Sequence, residues 1–161
     1  MMLCAAGASL GQSDLVLSQF LEADVVVVAA PGHELAQRHA VPMVELAQFR
    51  CAGAATQDFR NDALFGPGAG ENASAFMAND YEALLPLALG GHAVLVAPAF
   101  VVRRALDEGR LVQLDMEKAF RVEFVTVMTT AASASPILAK IAGYASDLGD
   151  AVMAEWRGRL H

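Results

Sequence analysis

The amino-acid sequence predicts an α/β fold. Short apolar runs of strand length, rich in β-branched residues, alternate along the chain with segments in which apolar residues recur at helical spacing. One run, DVVVVAA at 24–30, shows no alternation between apolar and polar residues, which is typical of a central strand buried on both faces. The chain has 161 residues, 55% of them hydrophobic, which is enough for about one domain or two small lobes.

The first half of the chain is predicted to contain four strands and two short helical segments. A loose alternation at 15–21 indicates a strand, and Pro31-Gly32 ends the buried strand at 24–30 because this dipeptide favours a turn. The remaining elements are a helical turn at 33–38, an amphipathic helix at 42–49, a weak strand at 50–55, a glycine-rich loop at 65–72 and a strand at 73–78.

The second half is predicted to contain three helices and three strands. Asn79 is followed three residues later by Glu82, the spacing of a capping box, and apolar residues then recur at helical spacing to Leu89. Pro86 lies inside that helix and is expected to kink or shorten it. The other elements are strands at 93–97, 111–114 and 122–128, a helix at 100–107 stopped by Gly109, and a last helix that Ser135-Pro136 opens and that runs to about Trp156.

Composition and charge argue against several classes of function. The net charge of -7 argues against direct contact with nucleic acid, because phosphate contact requires a basic face. No apolar run reaches the roughly 18 residues of a membrane span. No secretion signal opens the chain, so we expect a cytoplasmic protein with no membrane partner. Cys4 and Cys51 lie in apolar surroundings without a CxxC motif, which favours buried reduced thiols over a disulfide or a metal site.

Residues with catalytic or ligand chemistry form no recognisable site in the sequence. No two of the histidines have metal-ligand spacing, and His33 and His92 are assigned structural roles at turns. The serines lack a G-x-S-x-G motif. GPGAG at 66–70 lacks the lysine of a phosphate-binding loop, so a plain loop is favoured. We therefore expect no enzyme activity, no catalytic residue, no metal and no cofactor.

Two segments, at 24–50 and 79–114, carry short motifs in a fixed order. The motifs are HELA at 33–36, VPMVEL at 41–46, GHA at 91–93 and RRALDEGRLVQL at 103–114. In this order and spacing they resemble the effector-binding domain of LysR-type transcriptional regulators. The departures are Glu34, where the family has a proline, and Ala93, where it has a second glycine.

The resemblance implies a two-lobed fold of the periplasmic-binding-protein type II class. One lobe, at 30–97, is expected to be complete. The other lobe, formed by 3–29 and 98–157, is expected to lack its first βα units. Family members also begin with a helix-turn-helix DNA-binding domain, which this chain does not contain. Residues 1–161 are thus expected to form a fragment of an effector-binding domain.

The resemblance also implies where a ligand binds. The chain is expected to cross between the lobes at two hinge segments, the first holding Ala29, Ala30 and Pro31 and the second holding Ala97 and Ala99. Effector contacts are expected from Gly53, Thr56, Arg60, Pro98 and Phe100. A core position for Phe100, loop positions for Gly53 and Thr56, and a solvated surface position for Arg60 are open alternatives.

The implied function is regulatory binding of a small-molecule effector, with a carboxylate as one candidate class. Effector binding between the lobes would change the geometry of oligomers that hold DNA through the helix-turn-helix domain. The alternative is a free-standing solute-binding protein or enzyme domain on the same fold. Self-association as a homo-oligomer is expected, in which a second copy or an exchanged segment covers the strand at 25–28 and the Ile141–Leu148 part of an apolar stripe on the last helix. The family's antiparallel dimer is not expected to form unaltered. The whole stripe consists of Ile137, Ile141, Tyr144, Leu148 and Val152.

Overall fold

The computed structural model describes residues 2–5, 14–54 and 75–157. The strands in these ranges are β1 Met2–Ala5, β2 Leu15–Ala29, β3 Cys51–Ala54, β4 Phe76–Ala78, β5 Val94–Pro98, β6 Val112–Gln113 and β7 Phe120–Thr129. The helices are a 3-10 helix at Glu34–Gln37, α1 Met43–Leu46, α2 Tyr81–Leu89, α3 Ala99–Asp107, α4 Thr130–Ser133 and α5 Pro136–Arg157. Strands and helices alternate through much of the chain, as the sequence predicts.

The chain divides into two compact units. One is formed by residues 1–23 and 121–161, and the other by residues 24–120. Strand β2 contributes residues to both units. The predicted lobes, 30–97 in one and 3–29 with 98–157 in the other, stay a prediction.

Strand β2 is longer than the sequence predicts. The pattern predicts separate strands at 15–21 and 24–30, whereas the structure joins them into one strand of 15 residues. Glu22 and Ala23, which lie between the two predicted strands, include neither glycine nor proline and continue the extended backbone. The Glu22 carboxylate lies 3.6 Å from the Arg121 guanidinium, so its charge has a partner on the strand surface.

The sheet of the 24–120 unit has the strand order β2, β5, β3, β4. Strand β5 is antiparallel to β2, with Ala97 opposite Val26, while β3 is parallel to both β5 and β4. Strand β6 pairs with the other edge of β2, where Val112 lies opposite Ala29.

The core of this unit surrounds the C-terminal half of β2. Val26, Val27, Val28 and Ala29 are 7%, 1%, 0% and 0% exposed, and successive residues of a strand point to opposite faces. Both faces are therefore covered, which confirms the prediction of a buried central strand. The buried cluster consists of Val27, Ala29, Leu35, Val41, Leu46, Cys51, Val94, Val96 and Leu114.

This burial corrects one expectation. The strand at 25–28 does not need a second copy to cover it, because Val26 to Val28 are already buried within the chain. Strand β5 pairs with one edge from Val25 to Val28, and β6 pairs with the other edge at Val28 and Ala29. The sequence shows that the strand is apolar but cannot show which strands pair with it.

In the unit formed by 1–23 and 121–161, the described residues form three strands in the order β1, β7, β2. Strand β1 is antiparallel to β7, and the hydroxyl of Thr126 in β7 donates a hydrogen bond of 3.2 Å to the carbonyl of Ser18 in β2. Helix α5 approaches β2 closely at Gly149. A Cβ atom on Gly149 would lie 2.4 Å from the carbonyl oxygen of Phe20. In the described part of the chain no helix is long and apolar enough to cross a membrane.

The N-cap of helix α2 lies one residue later than the sequence predicts. The backbone N–H of Glu82 donates to the Asp80 carboxylate at 2.9 Å, so Asp80 is the N-cap and the prediction of Asn79 is wrong. An aspartate two residues before that N–H reaches it directly, which satisfies one donor of the first turn. The helix ends at Leu89, where its apolar spacing predicts, and continues through Pro86, so this proline does not shorten it.

Candidate functional site

The carboxyl ends of three parallel strands define the candidate site. Because β3 is parallel to both β4 and β5, their last residues Ala54, Ala78 and Pro98 lie at the same end of the sheet. Helices α2 and α3 follow β4 and β5, so both helices begin there. We call these strand ends and the first turns of α2 and α3 the carboxyl end. In open α/β sheets this is the end at which ligands bind.

The first turn of α3 is suited to an anion. The first N–H groups of any helix lack partners within the helix, and the helix dipole places partial positive charge there. The N-cap of α3 is Pro98, whose side chain has no oxygen that could accept from these N–H groups, and the first turn contains no acidic residue. Backbone donors at a helix N-terminus are a common binding site for phosphate and carboxylate groups.

The first turn of α2 has the opposite character. The Asp80 carboxylate already accepts from the N–H of Glu82, and Glu82 adds a second negative charge in the same turn. An anionic ligand would be repelled from these carboxylates. At the carboxyl end, α3 is therefore the favoured position for an anion.

Three of the predicted effector-contact residues lie at the carboxyl end. Gly53 is buried in β3, one residue before the strand ends, and lies opposite Met77 of β4. Pro98 is the buried last residue of β5, and Phe100 is the second residue of α3 with 41% of its surface exposed. Thr56 and Arg60 lie outside the described residues.

The structure does not bring the two predicted hinge segments side by side. Ala29 ends β2, and Ala30 follows it in a turn in which its carbonyl accepts from the N–H of His33 at 2.9 Å; Pro31 continues that turn. Ala97 lies opposite Val26, so it is separated from Ala29 by about 10 Å along the strand direction.

Ala99 opens α3 directly after β5 and is 3% exposed. It therefore belongs to the carboxyl end rather than to the turn after β2. The hinge role of both segments stays a prediction.

His33 has a structural role, as predicted. Its Nδ1 accepts from the N–H of Leu35 at 3.2 Å, which caps the 3-10 helix, and its ring meets the Phe49 ring edge-on at 5.2 Å. Burial lowers the pKa of His33, and this effect is opposed by the charge of Glu34. Because β2 is antiparallel to β5, His33 follows β2 at the end of the sheet opposite to the candidate site.

Cys51 is not a nucleophile at the candidate site. It is fully buried at the beginning of β3, away from the carboxyl end, and its thiol donates to the carbonyl of Leu46 at 3.3 Å. Burial raises the pKa of the Cys51 thiol to about 12, so the thiolate is strongly disfavoured. The prediction of a buried reduced thiol is confirmed for Cys51, while the side chain of Cys4 lies outside the described residues.

The arginines of α3 are already paired on the helix surface. Arg103 lies 3.3 Å from the Asp107 carboxylate, and Arg104 lies 2.8 Å from that of Glu108, each at a spacing of four residues. Hydrogen bonding from Arg104 lowers the pKa of Glu108. These pairs give α3 a solvated outer face, and the charge that an anion would meet at its beginning comes from the backbone.

Sequence patterns miss two features of this site. Tyr81, the first residue of α2, counts in the sequence only as an apolar position of that helix. Burial raises the pKa of its phenol to about 12, so the group stays protonated and can donate a hydrogen bond. The backbone donors of α3 leave no side-chain signature, and the signal that could reveal them is Pro98 before a helix with no capping side chain.

The sequence matches the family model described as the LysR substrate binding domain over residues 4–148. The chain belongs to this family. No curated protein matches the sequence. The predicted fold class and the predicted family are therefore both confirmed, and the chain is a regulatory effector-binding domain of the LysR type.

Solved structures of LysR-family regulatory domains share the fold. The MetR regulatory domain from N. meningitidis is 14% identical with a TM-score of 0.71, covering 92% of this chain and 70% of that one. The effector domain of AmpR from Pseudomonas aeruginosa is 18% identical with a TM-score of 0.64, covering 99% and 74%. The CcmR regulatory domain of Synechocystis PCC6803, in complex with 2-PG, is 16% identical with a TM-score of 0.66, covering 91% and 72%.

Proposed function

We propose that this LysR-type domain binds a small anionic effector at the carboxyl end, with the anionic group held by the N–H groups of Ala99 and Val101 in the first turn of α3. The observation that carries the proposal is the beginning of α3, where the N-cap is a proline and the first turn has no carboxylate. A bromide-bound regulatory domain of HypT from Salmonella typhimurium, 17% identical with a TM-score of 0.65, supports an anion as a ligand for this fold.

Further residues named as candidates from the sequence would complete recognition of the effector. The exposed ring of Phe100 would pack against the apolar part of the ligand. Gly53 and Pro98 would shape the floor at the ends of β3 and β5. Thr56 would contribute a hydroxyl and Arg60 a guanidinium, which pairs well with a carboxylate. Small carboxylates are therefore the proposed class of effector.

The proposed role is regulatory and not enzymatic, and it takes place in the cytoplasm. Effector binding would shift the population of conformations through the segments Ala29 to Pro31 and Ala97 to Ala99. The domain would act on DNA only through a helix-turn-helix domain outside this chain. It would also associate with other copies of itself, so that the conformational shift changes how paired subunits meet DNA.

A thermal-shift screen of small carboxylates tests the proposal, with the corresponding amides as neutral controls. A carboxylate at about 100 times its dissociation constant stabilises a protein by about 2.7 kcal/mol, which raises the Tm of a domain of this size by roughly 5–10 °C. The amides are expected to have little effect, because they carry no charge for the helix dipole. Equal stabilisation by acid and amide would contradict an anion site.

Substituting Phe100 places a charge at the proposed position. Phe100→Glu puts a carboxylate in the first turn of α3, which favours the helix but repels an anionic effector. We expect this variant to keep its Tm without ligand and to lose the shift with a carboxylate, whereas Phe100→Gln, which also lacks the ring but adds no charge, keeps part of the shift. If Phe100→Glu responds like the unsubstituted protein, the anion does not bind at α3.

A further inference from the structure

Helix α5 has two faces of different composition. The face that meets β2 carries Gly149 and Met153, both buried, and the close contact between Gly149 and Phe20 requires the absence of a side chain. A second face, about 100° around the helix axis from Gly149, carries the large apolar residues. Ile137, Ile141, Tyr144 and Leu148 are 72%, 42%, 64% and 61% exposed. We call these four residues, with Val152 at 44%, the outer stripe.

The spacing of the outer stripe matches the surface of a helix that packs on another helix. Its first four residues follow one another at intervals of four, three and four. Two such intervals make seven residues, the heptad repeat that keeps one seam of a helix facing a partner helix. Contiguous exposed apolar surface of this kind marks an interaction site. The spacing therefore indicates an α-helix as the occupant.

Two charged residues beside the outer stripe indicate which helix packs against it. Lys140 and Asp147 are both exposed, lie one heptad apart, and flank the stripe on the same side. In an antiparallel pair, flanking residues on that side face each other across the seam. When Ile141 packs beside the partner's Tyr144 and Ile137 beside the partner's Leu148, Lys140 lies level with the partner's Asp147.

Two-fold symmetry repeats this contact, so an antiparallel pair of identical α5 helices gains two ion pairs. A parallel pair gains neither. There, the same positions of the heptad place Lys140 beside the partner's Ala145 and Asp147 beside the partner's Val152. The charge pattern is thus complementary to a second copy of this chain in one orientation.

We propose that two copies of this chain associate through their outer stripes, with the α5 helices antiparallel. The proposal rests on the proposed homo-oligomer and specifies its interface. The shared seam from Ile137 to Ala151 is about 22 Å long, so one helix pair forms an interface at the small end of the range for specific association. A reversible dimer with a micromolar dissociation constant is expected.

Sedimentation of the full chain, from low micromolar to about 100 μM, measures this equilibrium. Leu148→Glu places a charge in the seam and should abolish the dimer; its circular dichroism spectrum shows whether it is folded. A second test exchanges the charges of Lys140 and Asp147, and its outcome is independent of the Leu148→Glu result. Lys140→Glu alone and Asp147→Lys alone should each weaken dimerisation about tenfold, because each replaces two attractions by two repulsions. The double variant should restore it.

Lys118→Glu is the matched control, since it makes the same change of charge at an exposed position far from α5 in the sequence. It should leave the dissociation constant unchanged. A dimer that persists unchanged in all α5 variants would overturn this interface while leaving the homo-oligomer in place. No self-association at about 100 μM would overturn both, and effector binding is measured separately by thermal shift.

Discussion

At the scale of single residues, the protonation of His33 makes the stability of the turn after β2 depend on pH. Its Nδ1 can accept from the N–H of Leu35 only while the ring is neutral, and burial lowers its pKa below the ordinary value of 6.5. Between the folded and the unfolded pKa the unfolded chain binds more protons, so stability rises with pH. The contribution of neutral His33 is therefore complete above about pH 6.5 and is lost as pH falls through the lowered pKa.

We expect the free energy of unfolding, measured with urea, to be lower at about pH 5.5 than at about pH 7.5. In His33→Asn the amide oxygen can still cap the 3-10 helix, but the group does not titrate. The difference between the two pH values should shrink in this variant. An undiminished difference would assign the pH dependence to other groups.

At the scale of secondary-structure elements, Gly149 sets the distance between α5 and β2. In Gly149→Ala the new Cβ would lie 2.4 Å from the Phe20 carbonyl, a backbone atom that cannot rotate away. The helix would have to shift, and we expect a loss of about 1–3 kcal/mol in the free energy of unfolding, measured by urea denaturation.

Gly143→Ala is the control on the same helix, because nothing lies within 4 Å of its new Cβ. That variant should gain up to about 1 kcal/mol from helix propensity. Equal effects at the two glycines would mean that α5 does not approach β2 closely.

The same helix shows how far the sequence predicts the fold. Its beginning at Pro136 and its apolar period are visible in the sequence, because capping and helical spacing are local properties. The buried face is not visible in the same way, because most large apolar residues of this helix are exposed while Gly149 lies against β2. Likewise, neither the continuity of β2 through Glu22 nor the pairing of its edges follows from local pattern.

The candidate site was less predictable from side-chain chemistry than the fold was from hydrophobic pattern. Gly53, Pro98 and Phe100 became candidates through the resemblance to a family, and the structure places all three at the carboxyl end. Chemical motifs do not identify this position, because its proposed donors are backbone N–H groups of α3. Only the three-dimensional course of the parallel strands brings the end of β3 to the beginning of that helix.

At the scale of the whole molecule, Cys51 reports how the candidate site is coupled to the stability of its unit. The thiol lies at the beginning of β3 and the proposed effector site at the end of the same strand, so the effector should oppose any opening that exposes Cys51. In a Cys4→Ser background, we expect Ellman's reagent to modify Cys51 slowly in buffer and rapidly in urea. A carboxylate found by the thermal-shift screen, at about 100 times its dissociation constant, should slow labelling in buffer about 100-fold, because it binds only the closed form.

The Phe100→Glu variant should lose this protection, and the amide that corresponds to the carboxylate should give none. Fast labelling in buffer would contradict the burial of Cys51, whereas slow labelling that the carboxylate leaves unchanged would show that the effector does not stabilise the unit containing β3.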